Sequence, residues 1–346
     1  MTDNLRDQIL EICKKFRDPG NNQVFDDNNK HLNIVINDKK VNLTINIDPS
    51  NHEKYSTLTS DLKAQINNLD QSLSVNIVLT SEKKITKSKP SENSFNINAK
   101  KIIAIASGKG GVGKSTFAIN FAMALKKLNK KVGLLDADIY GPSIPKMIGL
   151  SERPERTNDN KMIPLEKYGL KCMSIGFLIS EDTPAIWRGP MVMKALEQMF
   201  NGVEWGDLDF LIIDLPPGTG DAQLTLAQHV KLDGSIIVST PQDIALIDAR
   251  KGINMFKKVG VEVMGIVENM SYFICEKCDE RHEIFSSGGA KKEAEKYKTT
   301  FLGEIPINKN LRINSDEGIP MIIADPENEI TNKYLSIAEK IILSLN

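Results

Sequence analysis

The sequence predicts an α/β protein: a mostly parallel, doubly wound sheet with a phosphate-binding loop, preceded by a small α+β domain. Three observations carry this. From residue 101 onward, short apolar runs alternate with helical patterns, as expected of parallel strands covered on both faces. One strand-to-helix junction is filled by Ser107-Gly108-Lys109-Gly110-Gly111-Val112-Gly113-Lys114-Ser115-Thr116. Residues 1–80 instead combine helical spacing with period-two runs.

In that first domain Leu5, Ile9, Ile12 and Phe16 recur at helical spacing, and Leu32, Ile34 and Ile36 alternate. After a turn at 37–40, Val41, Leu43, Ile45 and Ile47 alternate again, which predicts a hairpin. Leu58, Leu62, Ile66 and Leu69 mark a second helix, and Leu73, Val75, Ile77 and Leu79 a third strand. Cys13 falls on the first helix and reads as a buried core thiol. Residues 81–100 are rich in Lys, Ser, Asn and Thr, hold Pro90 and show no period, so they read as a flexible linker.

The second domain spans 101–346. Ile102 to Ala106 form its first strand, followed by the glycine loop and a helix marked by Phe117, Phe121, Leu125 and Leu128. Further strands are predicted at 132–135, 208–213, 235–239, 261–267 and 300–305, and helices at 192–200 and 244–259. Ile330, Tyr334, Ala338, Ile341 and Leu345 place an amphipathic helix last. In such a sheet, ligands belong at the carboxyl ends of the strands.

The chain has 346 residues, a net charge of −1 and 26% charged residues, so bulk electrostatics favour neither nucleic acid nor an anionic membrane. Four cysteines do not make a disulfide framework and point to a reducing compartment. The first residues lack a basic-then-apolar signal and no run reaches about 18 apolar residues, so a soluble, cytoplasmic protein is expected.

Strand, glycine loop and helix are the context in which G-x-x-x-x-G-K-S/T binds phosphate. Glycines let successive N–H groups face one anion, and the helix start adds its dipole. Gly108, Gly110, Gly111, Val112, Gly113 and Thr116 supply the cradle, Lys114 reaches the β- and γ-phosphates of ATP, and Ser115 ligates Mg²⁺. Phe210 to Asp214 is an apolar strand ending in an acid, which suits Asp214 to hold Mg²⁺ through a water. Leu134-Leu135-Asp136-Ala137-Asp138 sets two carboxylates on one side of an extended chain.

Lys109 through Ser115 matches K-G-G-x-G-K-S/T, so the loop resembles that of the deviant Walker A ATPases. The resemblance implies that Lys109 reaches across a dimer interface to the partner's nucleotide. It also implies that Asp136 belongs to the Mg²⁺ shell, Asp138 orients the attacking water, Asn269 contacts the adenine, and the loop Pro216 to Asp221 senses the γ-phosphate.

Cys275-Glu276-Lys277-Cys278 follows, with the flanking segments 271–274 and 279–282 lacking a regular pattern. Two thiols this close bind a soft metal or form a redox pair. Tetrahedral zinc needs four ligands, and only Cys275, Cys278 and His282 are local, Cys172 being distant on a buried strand. A four-iron cluster also wants four thiolates, which a two-fold homodimer supplies, two from each chain. Lys109 asks for the same dimer.

The whole pattern resembles the Mrp/ApbC family of iron–sulfur cluster carrier ATPases. Besides the loop, the matching stretches are Asp136 to Ser143, Trp187-Arg188-Gly189-Pro190-Met191, Leu215 to Asp221, Glu268-Asn269-Met270-Ser271 and the cysteine pair. The small domain matches in element order but has Asp48-Pro49-Ser50-Asn51-His52 where longer members carry a cysteine. The resemblance implies a homodimer with a labile bridging 4Fe-4S cluster, taken from cluster donors and passed to apo iron–sulfur proteins, with slow ATP hydrolysis. Nucleic acid and membrane are not expected partners. Three alternatives are a positioning ATPase of the partition or division-site type, a zinc-stabilised ATP-binding module, and a reductase like nitrogenase iron protein. The first leaves the cysteines idle, and the third takes its ligands from separated segments.

Overall fold

The computed structural model describes residues 2–345 apart from 20–23, 26–31, 38–39, 48–53, 71, 81–96 and 180–188. Most of the expected linker, the Asp48–His52 segment, Trp187 and Arg188 therefore lie outside the described residues. The chain divides into two compact units, Met1–Thr86 and Lys87–Asn346.

The first unit runs α1 (Thr2–Cys13), β1 (Leu32–Asn37), β2 (Lys40–Asn46), α2 (Tyr55–Asn67) and β3 (Ser74–Thr80). β2 is central, antiparallel to β1 with Leu32 opposite Ile45, and parallel to β3 with Lys40 opposite Ser74. Period two turns Val41, Leu43 and Ile45 to one buried face, and Ile9, Cys13, Leu62 and Ile66 join them in one core. Burial pushes the Cys13 thiol up to about 12, so it acts as a small hydrophobe.

The second unit opens with β4 (Ala99–Ala106), which starts inside the expected linker. Lys100 pairs with Asp209 at 2.8 Å and Lys101 with Asp233 at 3.5 Å. Backbone pairing with β8, Ala99 opposite Leu208 and Lys101 opposite Phe210, extends the strand through these lysines, and no local pattern reveals that partner. After β4 come α3 (Lys114–Lys127), β5 (Val132–Asp136), α4 (Ile144–Ile148), β6 (Leu165–Lys167), β7 (Leu170–Ser174) and α5 (Gly189–Asn201). β8 (Leu208–Asp214), α6 (Asp221–His229), β9 (Gly234–Ser239), α7 (Asp243–Val259), β10 (Val263–Ile274) and β11 (Arg281–His282) follow. The chain closes with α8 (Gly289–Tyr297), β12 (Phe301–Ile307), α9 (Lys309–Asp316), α10 (Met321–Ala324) and α11 (Glu329–Ser344).

Six strands run parallel in the order β10-β9-β4-β8-β5-β7, with β12 parallel on the other side of β10. Short antiparallel strands finish it, β6 beyond β7 and β11 against the end of β10. β4 leads through α3 to β5, two places away, while β9 lies on its opposite side. That reversal opens a crevice at the carboxyl ends of β4, β8 and β5. The register is level there: Ile105 pairs with Asp214, and Asp214 with Asp136.

β10 is longer than its apolar run suggests. The segment 271–274, expected to be irregular, is strand, with Phe273 paired to Ile307 of β12 and to His282 of β11. Its polar residues Glu268, Asn269 and Ser271 are buried with partners, which breaks the apolar pattern without breaking the strand. On α3, Phe117 stacks on Phe121 at 5.6 Å and meets Tyr334 of α11 at 5.8 Å. Phe117→Ala is expected to cost about 3–5 kcal/mol, read as a lower urea midpoint by circular dichroism.

Candidate functional site

The glycine loop lies between β4 and α3, held from several sides. A Cβ on Gly108 would stand 2.2 Å from the carbonyl carbon of Asp248 on α7, so only glycine fits there. Gly113 caps α3 with φ +82, left-handed backbone that favours glycine. The Ser107 hydroxyl donates to the Lys109 carbonyl at 2.9 Å, and the Gly218 N–H to the Ser107 carbonyl at 3.0 Å. This joins the loop after β8 to the glycine loop. Ser107, Lys109, Gly110, Gly111, Gly113, Lys114, Ser115, Thr116, Asp138 and Pro217 line one cleft of about 220 Å³.

Charge is concentrated on the floor of the site. Lys114 Nζ donates to Asp214 Oδ1 at 2.5 Å, both side chains being buried, and lies 3.4 Å from Ser115 Oγ. Asp214 Oδ2 is buried with no hydrogen-bond partner among the described residues. Asp136, in register beside it, accepts from the N–H groups of Asp138, Ser143 and Ile144 and from Ser174 Oγ. Burial, and then the charge of Asp214, push the Asp136 carboxyl up to about 7. Asp138 is half-buried on the cleft wall; burial raises its carboxyl, opposed by Lys114 and by the N–H groups of Gly141 and Tyr140.

A hard divalent cation wants oxygen ligands. Asp214 Oδ2 and Ser115 Oγ fit that demand. Asp136 has most of its acceptor capacity committed to 138–144 and Ser174, so its visible work is to clasp that segment. Asn269 does not line the cleft. Its amide donates to the Val112 carbonyl at 2.8 Å, and a Cβ on Gly113 would stand 2.2 Å from its Nδ2. Asn269 thus braces the glycine loop from β10.

The cysteine pair sits on a hairpin turn between β10 and β11. The Cys275 N–H donates to the Glu280 carbonyl at 3.0 Å, and the Asp279 N–H to the Cys275 carbonyl at 2.9 Å. Cys275 is half-buried and Cys278 exposed. The N–H groups of Lys277 and Cys278, and then the Cys278 thiol, hold the Cys275 thiol below its ordinary range. His282, near in sequence, is not gathered with them: antiparallel pairing sets it opposite Phe273, with the rings 6.4 Å apart. Among the described residues no group of three or more His, Cys, Asp or Glu is placed to hold a metal. Cys172 is buried on β7, with β9, β4, β8 and β5 between it and β10.

A family model described as ParA, NUBPL iron-transfer P-loop NTPase, matches residues 98–342. The chain belongs to this family. It is 52% identical over 247 residues to the iron-sulfur protein required for NADH dehydrogenase, mitochondrial, of Arabidopsis thaliana, covering 71% of this chain and 79% of that one. It is 50% identical over 278 residues to the iron-sulfur cluster carrier protein of Escherichia coli K12, covering 80% and 73%. Among solved structures, the nucleotide-binding protein of Archaeoglobus fulgidus in complex with ADP superposes with a TM-score of 0.59 at 41% identity, covering 67% of this chain and 91% of that one. The cell division ATPase MinD of Pyrococcus furiosus, at 22% identity and a TM-score of 0.53, shares the fold.

In this NUBPL-type NTPase several working residues carry no motif. Ser174 clasps Asp136 from β7, and Asp248 packs on Gly108 from α7. Glu268 is fully buried and accepts from Ser271 and from the N–H groups of Gly288 and Ala290. Glu268 belongs to the matching stretch Glu268 to Ser271, whereas Ser174 and Asp248 have no sequence signal.

Two outcomes follow for the family fold here. Gly108→Ala is expected to lower stability by about 1–3 kcal/mol through overpacking and to weaken nucleotide binding, read by denaturation and calorimetric titration. The raised Asp136 means that between 3.8 and about 7 the folded chain keeps a proton that the unfolded chain has released. Its stabilisation is therefore full below that window and lost as pH rises through it. In chelator, wild type should lose stability relative to Asp136→Asn as pH is raised from about 4 to about 7, measured by urea midpoints.

Proposed function

We propose that this NTPase binds ATP in the glycine-loop cleft, hydrolyses it slowly, and carries a labile iron–sulfur cluster at Cys275 and Cys278. The single observation that carries the reading is the placement of two thiols, and no third ligand among the described residues, at the turn of a hairpin whose strand β10 also braces the nucleotide loop. Two sulfurs half-satisfy a 4Fe-4S cluster; a second copy of the chain supplies the other two. The names of the relatives, cluster carrier and iron–sulfur protein, support cluster transport as the task. Apo iron–sulfur proteins are then the recipients, cluster-building proteins the donors, and the cytoplasm the setting.

On the nucleotide side, Lys114 and the loop N–H groups neutralise and orient the phosphates, while Gly113 leaves room for the Asn269 brace. Ser115 and Asp214 hold Mg²⁺, which supplies charge neutralisation at the β- and γ-phosphates. Asp138, on the cleft wall, accepts a hydrogen bond from the attacking water and orients it. Lys109 lines the same cleft and makes no ion pair among the described residues. It is the cation available to a nucleotide bound in a partner subunit.

Anaerobic reconstitution tests the cluster site: wild type should gain iron and sulfide with brown absorbance, while Cys275→Ser/Cys278→Ser gains neither. Equal loading of both proteins, or zinc in place of iron, removes the assignment. Lys109→Ala should bind nucleotide within about twofold of wild type and lose hydrolysis by about 10²-fold or more, in line with removal of one charge-stabilising donor. Full hydrolysis by that variant would show that no subunit lends its lysine.

A further inference from the structure

β10 is a single strand between the two sites. Asn269 touches the nucleotide loop at Val112, and Cys275 follows six residues later in the sequence. Between them the strand is irregular. Met270 has φ +54, and the register against β12 slips between Asn269 and Phe273. Left-handed backbone at a residue other than glycine is uncommon and marks a place where a chain can change conformation.

Two carboxylates lie side by side at this irregularity. Glu268 of β10 and Glu304 of β12 are register partners, an arrangement of like charges that needs something between them. The Ser271 hydroxyl fills that role, 2.7 Å from Glu268 Oε1 and 3.3 Å from Glu304 Oε2. A hydroxyl carries one proton, so it donates to one carboxylate at a time. Glu268 keeps two other donors in either case, the N–H groups of Gly288 at 2.8 Å and Ala290 at 2.7 Å.

Among the described residues Glu304 has one other side-chain donor, the Arg281 guanidinium, with contacts of 3.2 and 3.5 Å. Arg281 is at the base of the cysteine hairpin, paired with Ile274, and lies 3.7 Å over the Tyr272 ring. When Ser271 serves Glu268, both oxygens of Glu304 are free for the fork of Arg281 and the hairpin base is clamped. When Ser271 serves Glu304, its proton takes one lone pair of Oε2 and part of the charge that holds the guanidinium there, so the Arg281 contact weakens without being displaced. A hydroxyl with two acceptors in reach, on the strand that joins the loop to the cysteine hairpin, is the kind of element that coupling requires.

We propose that Ser271 is a positioning residue: nucleotide in the loop sets, through Asn269 and Met270, which carboxylate it serves, and so how firmly Arg281 holds Cys275 and Cys278. The proposal rests on the reading of loop and cysteines as nucleotide and cluster sites. By reciprocity, whatever occupies the hairpin alters nucleotide affinity by the same factor.

The test uses the full-length, metal-free protein. Alkylation of Cys275 and Cys278 by iodoacetamide is followed by mass spectrometry without nucleotide, with ADP, and with a non-hydrolysable ATP analogue and Mg²⁺. Saturation is verified for each variant by titration with a fluorescent nucleotide. In wild type the rate should change at least about fivefold with nucleotide, the lower end of ordinary coupling. Ser271→Ala should bring the ratio close to one, as should Arg281→Ala, which tests the same clamp from the surface should loss of the buried hydroxyl impair folding. Arg281→Lys, with a charge but no fork, should recover part of the response. A wild-type rate indifferent to nucleotide, or a folded, saturated Ser271→Ala or Arg281→Ala protein with the full response, overturns the proposal. The readout involves no cluster, so failed reconstitution would remove the cluster reading and leave this result standing by itself.

Discussion

A loop can hold an anion with its backbone only if that backbone is fixed beforehand, and here close packing at two glycines fixes it. α7 approaches so near that Gly108 has no space for a Cβ, and Asn269 fills the space a Cβ on Gly113 would need. These contacts make α7 and β10 part of the phosphate site although neither carries a phosphate-binding motif. The ordering cost is met in folding, so the N–H groups need not be ordered again when phosphate arrives. The same contact at Asn269 gives β10 its mechanical importance, because that strand goes on to the cysteine hairpin.

The floor of the site is a charge problem that the fold leaves incomplete. Lys114 is one buried cation beside two buried carboxylates, Asp214 and Asp136, set in register on neighbouring strands. Buried ions add little to stability on their own, and an imbalance among them raises the proton affinity of a carboxylate. Asp136 has a carboxyl raised by burial and then by the charge of Asp214, and Asp214 has an oxygen with no donor among the described residues. An added cation would restore the balance, and the free carboxylate oxygen suits a hard one. The hairpin follows the opposite rule: Cys278 is exposed and Cys275 half-buried, with N–H groups of the turn holding the Cys275 thiol below its ordinary range.

Local pattern reached the strand–helix alternation, the glycine loop with Lys114 and Ser115, Asp214 at the end of its strand, and the α-β-β-α-β order of the first unit. Those features are written in periods of two and 3.6 and in glycine spacing, which depend only on neighbours in the chain. It fell short where polar residues are buried or charged residues are paired across strands. The start of β4 looked like linker because Asp209 and Asp233, its partners, lie more than a hundred residues on. β10 looked shorter than it is because its polar residues Glu268, Asn269 and Ser271 find their donors and acceptors at the start of α8, on β12 and in the glycine loop.

By itself, then, the sequence determined the class of fold, the chemistry of the phosphate loop and the presence of two neighbouring thiols, since each is a property of consecutive residues. Tertiary structure alone decided that Asn269 braces the loop, that Asp136 clasps a segment beside the cleft, and that His282 faces Phe273 and is not grouped with the cysteines. It also decided that one strand links the glycine loop to the hairpin through Ser271, Glu304 and Arg281. The reason is physical: hydrogen bonds and ion pairs between distant strands depend on register, and register is set by the packing of the whole sheet.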